Sequence, residues 1–198
     1  MADVAVLFVA KQSIYKLPPL RGRVDAWDEN RDARRFRGGM PVIAHPPCRL
    51  WSELSHMSTA PSEEKQLAIF ALDRVRMCGG VLEHPYKSKL WKYCGLPLPG
   101  SGQDEWGGFT IEVDQFHWGH KARKRTWLYI AGIGPGDVPV MPKRAGEPTH
   151  VVTTSNGNTK KPEVQRWERS ATPPYFATWL YELAVKCRKA HGCDQRQS

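Results

Sequence analysis

Short, continuous apolar runs recur along the chain, and each is followed by a polar or proline-containing turn. The first run, Val4 to Val9, is rich in β-branched residues and too short for a buried helix. Such runs are typical of strands buried on both faces of a parallel sheet. The same pattern predicts further strands over 24–27, 42–44, 81–85 and 126–133, and partial alternation predicts one over 109–120.

Two segments between and after these runs carry helix signals. Residues 61–78 begin with a proline and acidic residues in the first turn, and their apolar residues follow at helical spacing. A second amphipathic helix is predicted over 173–189, which also begins with proline. Strands that alternate with helices favour an α/β sheet with helices on both faces. The sequence therefore predicts one compact domain over 1–185 and a polar C-terminal tail over 186–198.

Charge and composition favour nucleic acid, or a nucleotide, as the partner. The 198 residues include 29 Lys and Arg against 20 Asp and Glu, a formal charge of +9. Such an excess attracts polyanions, although a basic protein without such a partner is the plainer alternative. The five cysteines have no paired spacing, and no apolar stretch is long enough for a signal peptide or a membrane span. We therefore expect a cytoplasmic protein with reduced cysteines and no membrane partner.

Reactive side chains follow several of the predicted strands. Cys48 stands behind two prolines in "AHPPCRLWS", where the positive charge of Arg49 would favour a nucleophilic thiolate. Glu83 ends the next strand in "VLEHP", where a carboxyl group can hold or protonate a ring nitrogen. Ligands bind beyond the carboxyl ends of parallel strands, so these residues predict a site. The alternatives are a buried, inert cysteine and a solvated acid.

The segments that carry these residues resemble DNA cytosine-5 methyltransferases. "PVIAHPPCRLWS" resembles the catalytic cysteine segment of that family, and "GGVLEHP" resembles its next motif, a strand with a glutamate. "FHWGHKARKRTWLYIAG" is similar to a later motif with spaced arginines, and "SATPPYFATWLYELA" to the last, where a proline pair opens a helix. The order of the motifs is preserved over most of the chain.

The resemblance implies a Rossmann-like methyltransferase sheet and a covalent mechanism on a flipped base. Cys48 would add to carbon 6 of cytosine, Glu83 would contact nitrogen 3, and carbon 5 would take a methyl group from S-adenosylmethionine. Arg123 and Arg125 would hold the base or the flanking phosphates. Cofactor binding would involve Phe8 and Asp28. Further contacts to DNA are expected from Arg49, Ser52, Lys121, Lys124, Lys143 and Arg144.

The chain departs from that family in two places. The segment after the first strand, "VAVLFVAKQSIYK", has no glycine where the family has a glycine-rich cofactor turn, and only about residues 134–162 stand where the family has a target-recognition region. The small size suggests a protein of a bacterial or phage-infected cell. Two alternatives stay open: cofactor-independent carbon-5 modification or deamination through the same adduct, and a catalytically inactive nucleic-acid-binding protein.

A metal site was weighed against the covalent site. His45, Cys48, His56 and His84 could in principle converge on a metal ion. Their order matches none of the compact zinc signatures, and "HWGH" at 117–120 is similarly weak. The sequence therefore predicts no metal site.

Overall fold

The polypeptide folds around one mixed β-sheet. The computed structural model describes residues 2–153 and 160–187. Within these ranges six strands join in the order β2-β1-β3-β4-β6-β5. The strands are β1 (Val4–Leu7), β2 (Val24–Trp27), β3 (Val42–Ala44), β4 (Gly80–Pro85), β5 (Phe109–Asp114) and β6 (Arg125–Ala131). The α-helices are α1 (Lys65–Cys78), α2 (Lys89–Cys94), α3 (Arg166–Ser170) and α4 (Pro174–Lys186).

The direction of the strands places a topological switch point in the middle of the sheet. Strands β2, β1, β3 and β4 are parallel, and β6 runs antiparallel between β4 and β5. After β1 the chain moves outward to β2 and then returns to add β3 on the opposite side of β1. In open α/β sheets this reversal opens a crevice at the carboxyl ends of the strands, where ligands bind.

The two faces of the sheet are covered by different helices. Val4 and Val6 of β1 belong to the apolar cluster that includes α4. Ala5 and Leu7 point the other way, into the cluster that includes α1. Because both faces are buried, the strand needs apolar residues at every position, and this produces the continuous run in the sequence. The prediction of a single compact α/β domain with helices on both faces is confirmed.

Most of the predicted elements form, with changes at their ends. The bounds of β2 and β3 agree with the prediction, whereas β1 ends at Leu7 because Phe8 adopts a left-handed backbone with φ 63°. The loop predicted after β4 contains α2, whose first turn is capped by the Ser88 side chain. The strand predicted over 109–120 ends early, because the Asp114 side chain caps a 3₁₀ turn.

Little of the predicted C-terminal tail is described. Of the predicted tail over 186–198, only Lys186 and Cys187 are among the described residues.

The cysteines differ in their bonding. Cys48, Cys94 and Cys187 carry free thiols, whereas Cys78 is disulfide-bonded, so the expectation of reduced cysteines is wrong at that position. Among residues 2–153 and 160–187, none of the helices combines the length and apolar character needed to cross a bilayer.

Gly80 sets how closely β4 approaches β3, and we predict that Gly80→Ala strongly destabilises the protein. Its φ is +129°, and an added Cβ would lie 1.9 Å from the carbonyl oxygen of Val42. The free energy of unfolding should fall by about 3 kcal/mol or more, because neighbouring strands must separate. Urea unfolding measures the change. Gly136→Ala is the control, since a Cβ there meets nothing within 4 Å; equal effects of the two substitutions would contradict the prediction.

Candidate active site

A cleft of about 1150 Å³ opens at the switch point of the sheet. Its walls come from the segments that follow β1 and β3, from the end of β4, from the turn before β6, and from the segment around α3. Cys48 and Glu83, which the sequence placed at neighbouring strand ends, both line this cleft. The remaining walls include Phe8 through Tyr15, His45, Arg49, Lys121, Lys124 and residues 167–174.

Cys48 is held in a tight turn after β3. Its carbonyl oxygen accepts hydrogen bonds from the backbone N–H groups of Trp51 and Ser52, both at 2.9 Å. Together with the two preceding prolines, these bonds fix the position of the sulfur atom. Burial raises the pKa of the Cys48 thiol, the negative charge of Glu83 raises it further, and the positive charge of Lys124 opposes them. The resting sulfur is therefore a thiol.

Arg49 is engaged by a neighbouring carboxylate. Its guanidinium group binds the carboxylate of Glu64, with Nε 2.7 Å from Oε1. This hydrogen bond raises the pKa of Arg49 and the charge of Cys48 helps to raise it, whereas Lys124 lowers the pKa of the thiol. The raised pKa of the thiol comes from burial first and from the charge of Glu83 second.

Glu83 is a nearly buried carboxylate held by two donors. Its Oε2 accepts from Nδ1 of His45 at 2.9 Å, and its Oε1 accepts from Nε2 of Gln115 at 3.1 Å. Burial by itself raises the pKa of Glu83, but the hydrogen bond and charge of His45, aided by Lys124, lower it to about 2. The group is thus ionised at neutral pH and accepts hydrogen bonds without donating any.

His45 extends this hydrogen-bonded chain to the opposite wall of the cleft. Its Nε2 is 3.0 Å from the hydroxyl oxygen of Tyr15, whose pKa is raised by burial and by the charge of Glu83. Gln115 is fixed in turn by a 2.9 Å hydrogen bond to Thr126. The carboxylate is therefore positioned by residues from three separate parts of the chain.

The basic segment before β6 brings Lys124 close to the cysteine and the carboxylate. Lys124 lines the cleft, where its Nζ donates to the carbonyl oxygen of Ala171 at 2.9 Å. Burial lowers the pKa of Lys124, and the charges of Glu83 and Cys48 oppose that effect. The sequence predicts Lys124 as a contact to DNA, and the structure adds its charge interaction with Cys48 and Glu83.

The structure does not bring Arg123 and Arg125 into the cleft. Arg123 is 61% exposed and pairs with Asp114 at 3.6 Å. Arg125 pairs with Glu112 at 2.6 Å and lies 3.4 Å above the ring of Tyr86. Neighbouring side chains alternate in direction along extended backbone, so the two arginines flank Lys124 and point elsewhere. Their predicted role in holding the base has no support from this placement.

The other predicted DNA contacts are divided between the cleft and the surface. Lys121 lines the cleft and pairs with Glu168 at 2.6 Å. Ser52 precedes a 3₁₀ turn, Lys143 is exposed, and Arg144 lies over the ring of Phe116. These three residues do not line the cleft, so they can contact DNA only outside it.

The structure separates the two residues assigned to S-adenosylmethionine. Phe8 lines the cleft, where a ligand could reach it. Asp28 does not line the cleft: its Oδ2 binds Nζ of Lys16 at 2.5 Å, and its Oδ1 accepts the backbone N–H groups of Asn30 and Arg31. The hydrogen bond from Lys16 lowers the pKa of Asp28. A carboxylate engaged in this way offers little to a ribose hydroxyl.

The metal alternative gains no support from the part of the chain that the structure describes. There, no three His, Cys, Asp or Glu side chains come together as a possible metal site. His84 is fully buried, its Nδ1 is 2.7 Å from the hydroxyl of Ser88, and burial lowers its pKa to about 4. This histidine packs inside the domain beside α2 rather than in the cleft.

Three residues of the site were missed in the sequence. His45 was weighed only as a metal ligand, and Tyr15 and Gln115 were not considered. The signal for His45 is its place directly after a strand, the same signal that identifies Cys48. Gln115 also follows a strand directly, but the predicted strand over 109–120 runs past it and so hides that signal.

Comparison with protein-family models, with curated proteins and with solved structures finds no match to this chain. The chemistry of the cleft and the sequence motifs are thus the basis for a functional proposal.

We predict that Glu83 contributes to stability in a pH-dependent way. Its folded-state pKa of about 2 lies below the ordinary 4.5, so its contribution is complete above pH 4.5 and is lost as the pH falls toward 2. Between pH 6 and pH 3 this loss amounts to about 2 kcal/mol. Urea unfolding at both pH values should show that the free energy of unfolding falls less in Glu83→Gln than in the wild-type protein. Glu112→Gln serves as the control, and a loss in Glu83→Gln equal to that of the wild type would contradict the assignment.

We also predict that Lys124, and not Arg49, controls the reactivity of Cys48. Lys124→Gln removes the cation that lowers the thiol pKa, so alkylation by iodoacetamide at about pH 8 should slow by roughly 3- to 10-fold. Arg49→Gln should change the rate less than about twofold, because that guanidinium is paired with Glu64. Mass spectrometry of the Cys48 peptide measures both rates. A slower rate in Arg49→Gln alone would reverse the assignment.

Proposed function

We propose that the protein is an enzyme that modifies carbon 5 of a pyrimidine base in DNA through a covalent adduct between Cys48 and carbon 6. The observation that carries the proposal is that Cys48, Glu83 and Lys124, from three separate motifs, line one cleft at the switch point of the sheet. The resemblance of those motifs to DNA cytosine-5 methyltransferases supports a pyrimidine ring as the group that enters.

The covalent step begins when the thiol of Cys48 loses its proton to solvent. The positive charge of Lys124 stabilises the thiolate that forms. The sulfur then bonds to carbon 6, and the electron pair of the C5–C6 double bond moves toward carbon 5. Carbon 5 becomes nucleophilic and bonds to an electrophile. A base from solvent then removes the original C5 proton, the electron pair of that C–H bond re-forms the C5–C6 double bond, and the sulfur leaves as a thiolate.

Two kinds of electrophile can meet that carbon. S-adenosylmethionine would supply a methyl group, as the resemblance implies, but Asp28, which is bound to Lys16, does not support a site for it. Cofactor-independent modification by the same adduct is the second candidate, and the occupied carboxylate of Asp28 is the observation that favours it. Without any other electrophile, a proton from water gives only exchange of the hydrogen on carbon 5. Deamination, in which water replaces the exocyclic amine and ammonia leaves, belongs to the same candidate.

The charge of the chain supports DNA as the partner. The net charge of +9 favours a polyanion, and Lys121, Lys124 and Arg49 are among the residues that line the cleft. A base can reach Cys48 only after it leaves the stack, as in other enzymes that act on a base. Binding to DNA without any adduct would instead identify an inactive nucleic-acid-binding protein.

The proposal is tested with oligonucleotides that contain 5-fluorocytosine or 5-fluorouracil. We expect an adduct on Cys48, in which sulfur is bonded to carbon 6 and a proton to carbon 5. An acid quench preserves it, because elimination requires the C5 proton to be removed by a base. Intact-mass spectrometry detects the adduct, and S-adenosylmethionine is added in parallel to test methyl transfer.

Two variants make this test specific. Cys48→Ala should abolish the adduct, whereas Cys94→Ala should retain it, because Cys94 is a free thiol that does not line the cleft. If neither fluorinated base gives an adduct in the wild-type protein, or if the adduct persists in Cys48→Ala, the covalent mechanism is wrong.

A further inference from the structure

The geometry of a pyrimidine ring decides which of its atoms can meet Glu83. Carbon 6 and nitrogen 3 are opposite atoms of the ring. A ring bonded at carbon 6 to the sulfur of Cys48 therefore turns nitrogen 3 toward the far side of its binding site. Glu83 lines the same cleft, and its charge acts on Cys48. The inference rests on the proposed function and on the role that the resemblance implies for Glu83, a contact with nitrogen 3.

Glu83 can only accept a hydrogen bond at that position. Both of its oxygens are already held by donors, Nδ1 of His45 at 2.9 Å and the amide nitrogen of Gln115 at 3.1 Å. The amide orientation of Gln115 is set by Thr126, whose hydroxyl donates to the backbone of Lys124 and accepts from Nε2 of Gln115. With such a set of donors, the carboxylate carries no proton to give to a ligand.

We propose that the base which enters this cleft carries a hydrogen on nitrogen 3, as the 4-keto pyrimidines of the uracil type do. The N3–H group of such a ring donates to the carboxylate of Glu83. Cytosine has a lone pair and no hydrogen at nitrogen 3. In a nearly buried site, that nitrogen and the carboxylate of Glu83 would be two acceptors without a hydrogen to share. This substrate class differs from the cytosine of the family that the motifs resemble.

The electron flow of the covalent step agrees with this choice. When sulfur adds to carbon 6 of a 4-keto ring, the displaced electrons are delocalised onto the oxygen at carbon 4, and nitrogen 3 keeps its hydrogen throughout. When sulfur adds to cytosine, the electrons reach nitrogen 3, which must then gain a proton. An ionised Glu83 cannot itself supply that proton, whereas it can accept the N3–H of a 4-keto ring throughout the step.

The experiment compares the rates at which the wild-type protein forms adducts with two oligonucleotides that differ only in 5-fluorouracil or 5-fluorocytosine. The same pair reacted with a free thiol, β-mercaptoethanol, gives the intrinsic ratio of the two bases. We expect the protein to favour 5-fluorouracil by roughly 100-fold over that intrinsic ratio. A protein ratio equal to the free-thiol ratio, or one that favours 5-fluorocytosine, overturns the inference and leaves the covalent mechanism intact.

Glu83→Gln provides a second measurement within the same experiment. The amide of Gln can turn its N–H group to the lone pair of cytosine or its oxygen to the N3–H of uracil, so the preference should fall to within about tenfold of the free-thiol ratio. Glu112→Gln, which removes a carboxylate outside the cleft, should keep the wild-type preference. No adduct with either base would refute the proposed function itself. If Glu83→Gln does not fold, the wild-type ratio alone decides.

Discussion

The hydrogen bonds that hold the carboxylate of Glu83 join the parts of the fold that form the cleft. His45 follows β3, Glu83 lies in β4, and Gln115 follows β5. Removing a carboxylate from water is costly, and a nearly buried one is retained only where donors surround it. The cost is offset here by donors from two other segments, so the position of Glu83 requires the correct pairing of the whole central sheet. The same interaction fixes the charge that Cys48 and Lys124 experience.

The charge of Glu83 also links substrate binding to the reactivity of the sulfur. In the free protein that charge helps to keep Cys48 protonated. A ring that donates its N3–H to Glu83 shares part of the negative charge and weakens its effect on the thiol. Lys124 then acts with less opposition, and formation of the thiolate becomes easier. Under the proposed function, the nucleophile is therefore activated by the base that it attacks.

Local patterns in the sequence were sufficient for the framework of this fold and for part of the site. The apolar run at β1 and the helical spacing in α1 each depend on how that one segment is buried, so the pattern can be read within the segment alone. The rule that ligands bind at strand ends was sufficient to bring Cys48 and Glu83 together. Contacts between distant segments were not predictable in this way. The placement of Arg123 and Arg125 outside the cleft and of Lys124 inside it depends on side-chain direction, which the sequence pattern does not give. The bond between Lys16 and Asp28 depends on how the 3₁₀ turn before β2 folds back beside that strand.

The most direct measurement is a crystal structure of the protein bound covalently to an oligonucleotide that contains 5-fluorouracil. The mechanism predicts a bond between the sulfur of Cys48 and carbon 6, with nitrogen 3 within hydrogen-bonding distance of a carboxylate oxygen of Glu83. The base should lie out of the stack, in the cleft beside Lys124. A ring that occupies the cleft without a bond to Cys48, or one that turns nitrogen 3 away from Glu83, would contradict the central claim.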